Sequence, residues 1–212
     1  PYGGEAFVPG EQEIIRWDAY GNLGNFNLEY SLDDGASWNT ISASIGGTTR
    51  HRVWTVPTAS TERALMRITR GATVDTSDAN FVISETPQNI QLDWVCADSL
   101  QLSWDAVGGA AAYEVSMLGN KYMDSVGLTT ADSIILYGHD INLEDWLSVK
   151  AVLPNGGEGR RAIAVQKVPG LQNCPMQYGV ELTEFISPIN GTMFNCHDGS
   201  AVPVQVRVTN VG

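Results

Sequence analysis

The apolar residues of this chain recur at every second position, in short runs broken by glycine, asparagine and aspartate, and nowhere in the rhythm of a long amphipathic helix. Period-two alternation puts neighbouring side chains on opposite faces of an extended strand, so one face is buried and the other left to water. Ile15 and Trp17 alternate within Glu13 to Asp18, and Phe26, Leu28 and Tyr30 alternate in the next run. Trp38 to Ile41, Arg52 to Val56, Ala64 to Thr69 and Asn80 to Ile83 continue the cycle, with turns at Tyr20-Gly21-Asn22, Asp34-Gly35 and Gly46-Gly47. Short, evenly spaced strands separated by turn residues predict a β-sandwich.

The polar stretch Glu85-Thr86-Pro87-Gln88-Asn89 follows a finished strand and precedes a second cycle: Ile90, Leu92 and Trp94; Leu100, Leu102 and Trp104; Tyr113, Val115 and Met117; then Ser133 to Leu136, Leu147 to Val152 and Ala162 to Val168. Pro154-Asn155-Gly156-Gly157 reads as a tight turn before the last of these. A second boundary falls near Pro169 to Asn173, beyond which Val180 to Phe185 and Val202 to Val208 alternate around the turn Ser187 to Gly191. The expected fold class is therefore all-β, as tandem β-sandwiches, with one module over 1–86, a second over 87–170 and a partial third β domain over 171–212. Two or three strands cannot close a core unaided, so the third unit is expected to be incomplete or to lean on a neighbour. The opening at Pro1 and the strand-like close suggest a piece of a larger protein.

Charge excludes some partners. Twenty-four acidic residues against 12 basic ones give a formal charge of −12, which repels phosphate backbones and anionic lipid headgroups, so no nucleic acid partner is expected. No apolar run reaches the roughly 20 residues that span a bilayer, so membrane insertion is not expected either. Hydrophobic residues make up 43% of the chain and charged ones 17%, enough apolar material to build real cores.

Two stretches carry resemblances. Leu100, Leu102, Ser103 and Trp104, followed by Val107 to Tyr113, resemble the second and third strands of fibronectin type III domains, and Val149-Lys150-Ala151 with Gly156 to Gly159 resembles that family's sixth strand and following hairpin. Where the family carries its corner tyrosine this chain has Asp145, beside Trp146. Upstream, Ile15-Arg16-Trp17, the run Tyr30 to Trp38 and Trp54 to Pro57 look like the immunoglobulin-like repeats of secreted bacterial surface proteins, and Val204 to Gly212 is similar to the start of an adhesion-type domain in Bacteroidetes-type secreted proteins. These resemblances imply immunoglobulin-like and fibronectin type III-like modules on the cell surface or in the medium.

Candidate chemistry is sparse. Ser31, Asp33, Gly35 and Trp38 match the Asp-box of sialidase-like propellers, in which serine and aspartate satisfy turn amides and tryptophan anchors the hairpin. A propeller repeats the box blade by blade, and here it occurs once, so it reads as a structural hairpin. His51, His139 and His197 are far apart with no ligand spacing, and Asp33-Asp34 with Asp75 and Asp78 read as solvated turns; neither a cofactor nor a metal site is expected. Trp17, Trp54 and Trp104 read as core, and Tyr20, Tyr122 and Tyr137 as turn aromatics that a sugar platform would need exposed. Asn190-Gly191-Thr192 is an N-glycosylation sequon, and Asp98-Ser99, Asp124-Ser125 and Asp132-Ser133, each followed by an apolar residue, fit the O-glycan pattern that the Bacteroidetes resemblance implies.

No nucleophile, base and orienting group assemble from recognisable motifs, so the chain is expected to be non-catalytic: a monomeric, extracellular or cell-surface structural or interaction module with a protein or glycan ligand. The alternative is the accessory, carbohydrate-binding region of a secreted hydrolase. Cys96 is placed at the turn between the first two strands of the second module and Cys174 just past its last strand, and in a seven-strand sandwich those strands can run side by side. A Cys96–Cys174 disulfide is the first expectation, with Cys174–Cys196 its rival.

Overall fold

The structure is a computed structural model that describes residues 1–21, 24–175, 180–187 and 204–210. Among these residues there is no helix. The chain divides into two units, Pro1–Gln172 and Asn173–Gly212.

The first unit holds two hydrophobic cores, each closed by a pair of sheets. In the first half, β1 (Ala6–Phe7), β3 (Phe26–Ser31), β4 (Asn39–Ile45), β6 (Thr61–Arg70), β7 (Thr73–Thr76) and β8 (Phe81–Ile83) form one sheet in the order β1-β8-β6-β3-β4, with β7 hung on β6. The facing sheet pairs β2 (Gln12–Arg16) with β5 (His51–Thr55). The alternation read from sequence is what fills the space between them: Ile15 and Trp54 from one sheet meet Phe26, Leu28, Ala64, Met66, Phe81 and Ile83 from the other. Trp54 is the centre of an aromatic cluster, its ring centroid 5.7 Å from Phe7, 5.7 Å from Tyr30 and 6.0 Å from Phe81. Phe7 and Phe81 meet it edge-to-face and Tyr30 at a tilt, contacts that add to the gain from burial alone.

The second half repeats the plan with seven strands. One sheet runs β9 (Gln91–Val95), β10 (Ser99–Ser103), β13 (Ser133–Tyr137), and the other runs β12 (Met123–Thr129), β11 (Ala112–Leu118), β14 (Asp145–Val152), β15 (Val165–Lys167). Val95, Leu100, Leu102, Tyr113, Val115, Leu147, Val149 and Ala151 share the core. Trp104 packs at 5.3 Å on Tyr113, whose hydroxyl accepts the amide of Val107 at 2.7 Å. A β-bulge after Val115 on β11 leaves Val126 as the extra residue on β12, and the neighbouring Gly127 is what allows β12 to lie over β13: a Cβ there would stand 2.6 Å from Ile134 Cδ1.

The position where the corner tyrosine was missing from the sequence is occupied by charge. Lys167 is fully buried, and its ammonium donates to the carbonyls of Asp140 at 2.8 Å and Leu143 at 2.6 Å and pairs with Asp145 Oδ2 at 3.0 Å. The loop entering β14 is thus tied down by three oxygens on one lysine. A buried ammonium needs this full set of partners to offset its lost hydration.

Several expectations shift in detail. β1, β7 and β12 carry too little alternation to be read from sequence: β1 is two residues long, and every residue of β7 is exposed. Asp75 accordingly lies in a strand rather than in a turn. Val95 is the buried residue of β9, while Leu92 and Trp94 are half-buried, Trp94 donating to Gln101 Oε1 at 2.6 Å. The second unit holds an antiparallel ribbon, β16 (Val180–Ser187) with β17 (Gln205–Asn210).

Candidate functional site

The residues singled out in the sequence fall in separate places. Ser31, Asp33, Gly35 and Trp38 lie together in the β3–β4 hairpin. Ser31, fully buried, accepts the amides of Asp33 at 3.2 Å and Gly35 at 2.8 Å and donates its hydroxyl to Asp33 Oδ1 at 2.7 Å. Asp33 also accepts the amide of Ser37 at 2.8 Å and its hydroxyl at 2.6 Å. The chain reverses through φ of 64° at Asp34 and 85° at Gly35, the left-handed region that aspartate tolerates and glycine favours. Trp38 closes the loop by donating to the Gly35 carbonyl at 3.0 Å, and the Arg67 guanidinium lies 4.0 Å from its ring centroid while pairing with Glu29 at 2.7 Å.

Ser37, through hydroxyl and amide, and then Ser31 hold the Asp33 carboxyl at about 2, below its ordinary 3.8. A depressed carboxyl contributes stability that is fully present above its ordinary value and is lost as pH falls through the depressed one. The first module is therefore expected to lose stability between about pH 4 and pH 2 more steeply in the wild type than in Asp33→Asn, which urea titrations across that range measure.

Cys96 sits in the β9–β10 turn, its amide donating to the Ser99 carbonyl at 2.7 Å, and it is disulfide-bonded. Cys174 is disulfide-bonded as well. Cys196, His197 and the Asn190 sequon lie outside the described residues. His51 is exposed on β5, and both ring nitrogens of His139 are buried without a hydrogen-bond partner among the described residues. Tyr20, Tyr122 and Tyr137 are exposed, whereas Trp54 and Trp104 are core. Asp124 and Ser125 lie on β12, and Asp98 and Asp132 lie in the turns before β10 and β13. The described residues contain no group of three His, Cys, Asp or Glu side chains that could hold a metal ion, and no helix among them is long and apolar enough to cross a membrane.

The most elaborate polar construction in the first unit is one that sequence reading missed. Glu62, at the start of β6, reaches across to the turn that follows β14: Oε1 accepts the amide and side-chain nitrogen of Asn155, and Oε2 accepts the amide of Gly157 at 2.8 Å. These hydrogen bonds hold its carboxyl below the ordinary range even though burial acts in the opposite direction. The approach requires glycine, since a Cβ at position 157 would stand 2.5 Å from Glu62 Cβ. On the other flank Arg160 pairs with Glu11 and, at 3.1 Å, with Glu13. Gly109 completes the fit: its φ of +84° is left-handed, and a Cβ there would meet Ser60 Oγ at 2.7 Å. Between the two halves the link is packed rather than loose, with Ser84 and Pro87 buried. The signal for this junction was the sequence Pro154 to Gly157, visible as a turn, but nothing local to it named Glu62 as its partner 93 to 95 residues away.

No protein-family model matches the chain, and no curated protein sequence matches it. Among solved structures it is similar to a two fibronectin type III domain segment from chicken tenascin, at 15% identity over 78% of this chain and 94% of that one, with a TM-score of 0.41. It is also similar to the FN1–FN3 domains of chicken CNTN1, at 13% identity over 76% of this chain and 63% of that one, with a TM-score of 0.37. A third likeness is the fn3 domain of the human collagen alpha-1(XX) chain, at 18% identity over 42% of this chain and 86% of that one, with a TM-score of 0.34.

Proposed function

We propose that residues 1–172 form a stiff, non-catalytic spacer of an extracellular or cell-surface protein, built of modules at 1–86 and 87–170 and followed by the start of a third β domain at 171–212. The observation that carries this reading is the junction. A carboxylate accepting two backbone amides and a side-chain amide, together with an arginine shared by two glutamates, clips the β14–β15 connection of the second module to the first. The Arg160 pairs are well exposed and add little by themselves, so Glu62 is the stronger element. Two disulfide-bonded cysteines support an oxidising compartment, and a charge of −12 supports a monomer in solution.

Small-angle scattering tests the spacer. Wild-type protein is expected to give a compact, rigid profile, Glu62→Ala to weaken the docking by about 1–2 kcal/mol and add interdomain flexibility, and Arg160→Ala to do less. A flexible wild-type profile, or variants that match a rigid wild type, would contradict it.

We also propose that Cys96 and Cys174 pair with each other. Peptide mapping under non-reducing conditions is expected to return that pair, and its reduction to cost the second module on the order of 4 kcal/mol in the chain-entropy account. A Cys174–Cys196 peptide would refute the pairing.

A further inference from the structure

The turn that follows β14 carries an asparagine–glycine pair, Asn155–Gly156; the chain's other such pair, Asn190–Gly191, lies outside the described residues. Asn155 and Gly156 are both exposed, and with Glu62 they border an open cleft of about 670 Å³. Gly156 has a φ of +90°, and nothing stands within 4 Å of the place a Cβ would take, so the peptide between the two residues is open to water. An asparagine followed by glycine is the pair in which backbone attack on the side chain meets least hindrance, because the attacking nitrogen has no Cβ beside it.

Water is the sole co-reactant such an attack needs. The Gly156 nitrogen gives up its proton and bonds to Asn155 Cγ, the Cγ–Nδ2 bond breaks, and ammonia leaves with that proton. Water then opens the cyclic imide at one of its two carbonyls, to aspartate or to isoaspartate. In the docked junction both reacting groups are already engaged. The Gly156 amide donates to the Leu153 carbonyl at 2.9 Å, and Asn155 Nδ2 donates to Glu62 Oε1, which also accepts the Asn155 amide at 2.9 Å. Attack requires the side chain to leave Glu62 and the amide to leave Leu153, so the reaction runs from the opened turn. Its product does not dock as asparagine does. A carboxylate at position 155 sets an acceptor and a like charge against Glu62 where a donor stood. Isoaspartate also adds a carbon to the main chain between the amides of residues 155 and 157, the two that Glu62 accepts.

We propose that Asn155–Gly156 is a deamidation site that Glu62 holds shut while the modules are docked, and that conversion of Asn155 to aspartate or isoaspartate releases the junction. The stiff spacer is thereby given a chemical lifetime: each opening of the turn exposes the pair to reaction, and each reaction makes the opening permanent. The proposal rests on the reading of the junction as the element that stiffens residues 1–172.

The test incubates the full chain in mildly alkaline buffer and follows residue 155 by peptide mapping and mass spectrometry, in folded wild type, in wild type unfolded by urea and in Glu62→Ala. Asn155 is expected to react about tenfold more slowly in the folded wild type than in urea, and Glu62→Ala to recover most of that difference. Small-angle scattering of Asn155→Asp, which carries the product's charge from the start, is expected to show added interdomain flexibility. Equal rates in folded and unfolded wild type overturn the protection, and a Glu62→Ala rate equal to that of the wild type overturns the part given to Glu62. An Asn155→Asp chain as rigid as the wild type overturns the release. Any of these three results beside a rigid wild-type profile removes the proposal and leaves the spacer standing, whereas a flexible wild-type profile overturns the junction and the proposal with it.

Discussion

Replacing Lys167 with alanine is expected to destabilise the second module by about 3 kcal/mol or more. The substitution removes a fully buried ammonium from Asp145 and leaves the carbonyls of Asp140 and Leu143 without their donor. An abandoned carboxylate with 15% of its side chain exposed keeps most of its desolvation cost and loses its compensation. Urea unfolding of Lys167→Ala, Asp145→Ala and the double variant gives the coupling. The double variant is expected to be less destabilised than the sum of the two singles, since it removes both charges at once. Strict additivity would mean that the two groups do not stabilise each other.

Trp54→Ala is expected to cost about 3–5 kcal/mol, this time in the first module. Trp54 is 3% exposed, and its removal opens a void bordered by Phe7, Tyr30 and Phe81, which β-sheet backbones cannot collapse to fill. Loss of the three ring contacts adds to the lost burial. Calorimetry is expected to show the first module's transition falling in Trp54→Ala and the second module's in Lys167→Ala. A loss of stability confined to the second module in Trp54→Ala would contradict the assignment of this tryptophan to its own core.

Much of the fold was legible because a half-buried strand writes its burial into every second residue. Phe26, Leu28 and Tyr30 or Leu147, Val149 and Ala151 announce their sheets without help. Strands whose side chains face water on both sides, such as β7, leave no such mark, and neither does a two-residue strand such as β1 that is held by parallel pairing to β8. The hairpin of Ser31 to Trp38 was legible because its hydrogen bonds are local. The Lys167 tie and the Glu62 clip were not, because their partners are brought together only by the finished fold, across 24 to 27 residues in one case and 93 to 95 in the other. Sequence showed the vacancy at Asp145, where a tyrosine was looked for, but not the lysine that answers it. Trp17 was legible as core from its place in the alternation, and although it follows the last residue of β2 it packs half-buried against the first core, its ring 5.6 Å from Phe26.

The central claim is that two sandwiches are held as one stiff body by the Glu62 and Arg160 contacts. Pulsed dipolar spectroscopy measures it most directly, with nitroxides carried on unnatural residues at the exposed positions Val74 and Leu128 so that the native cysteines stay untouched. The account predicts one narrow distance distribution in the wild type and a broadened one in the Glu62→Ala, Arg160→Ala double variant. A broad distribution in the wild type, or a double variant as narrow as the wild type, would contradict it.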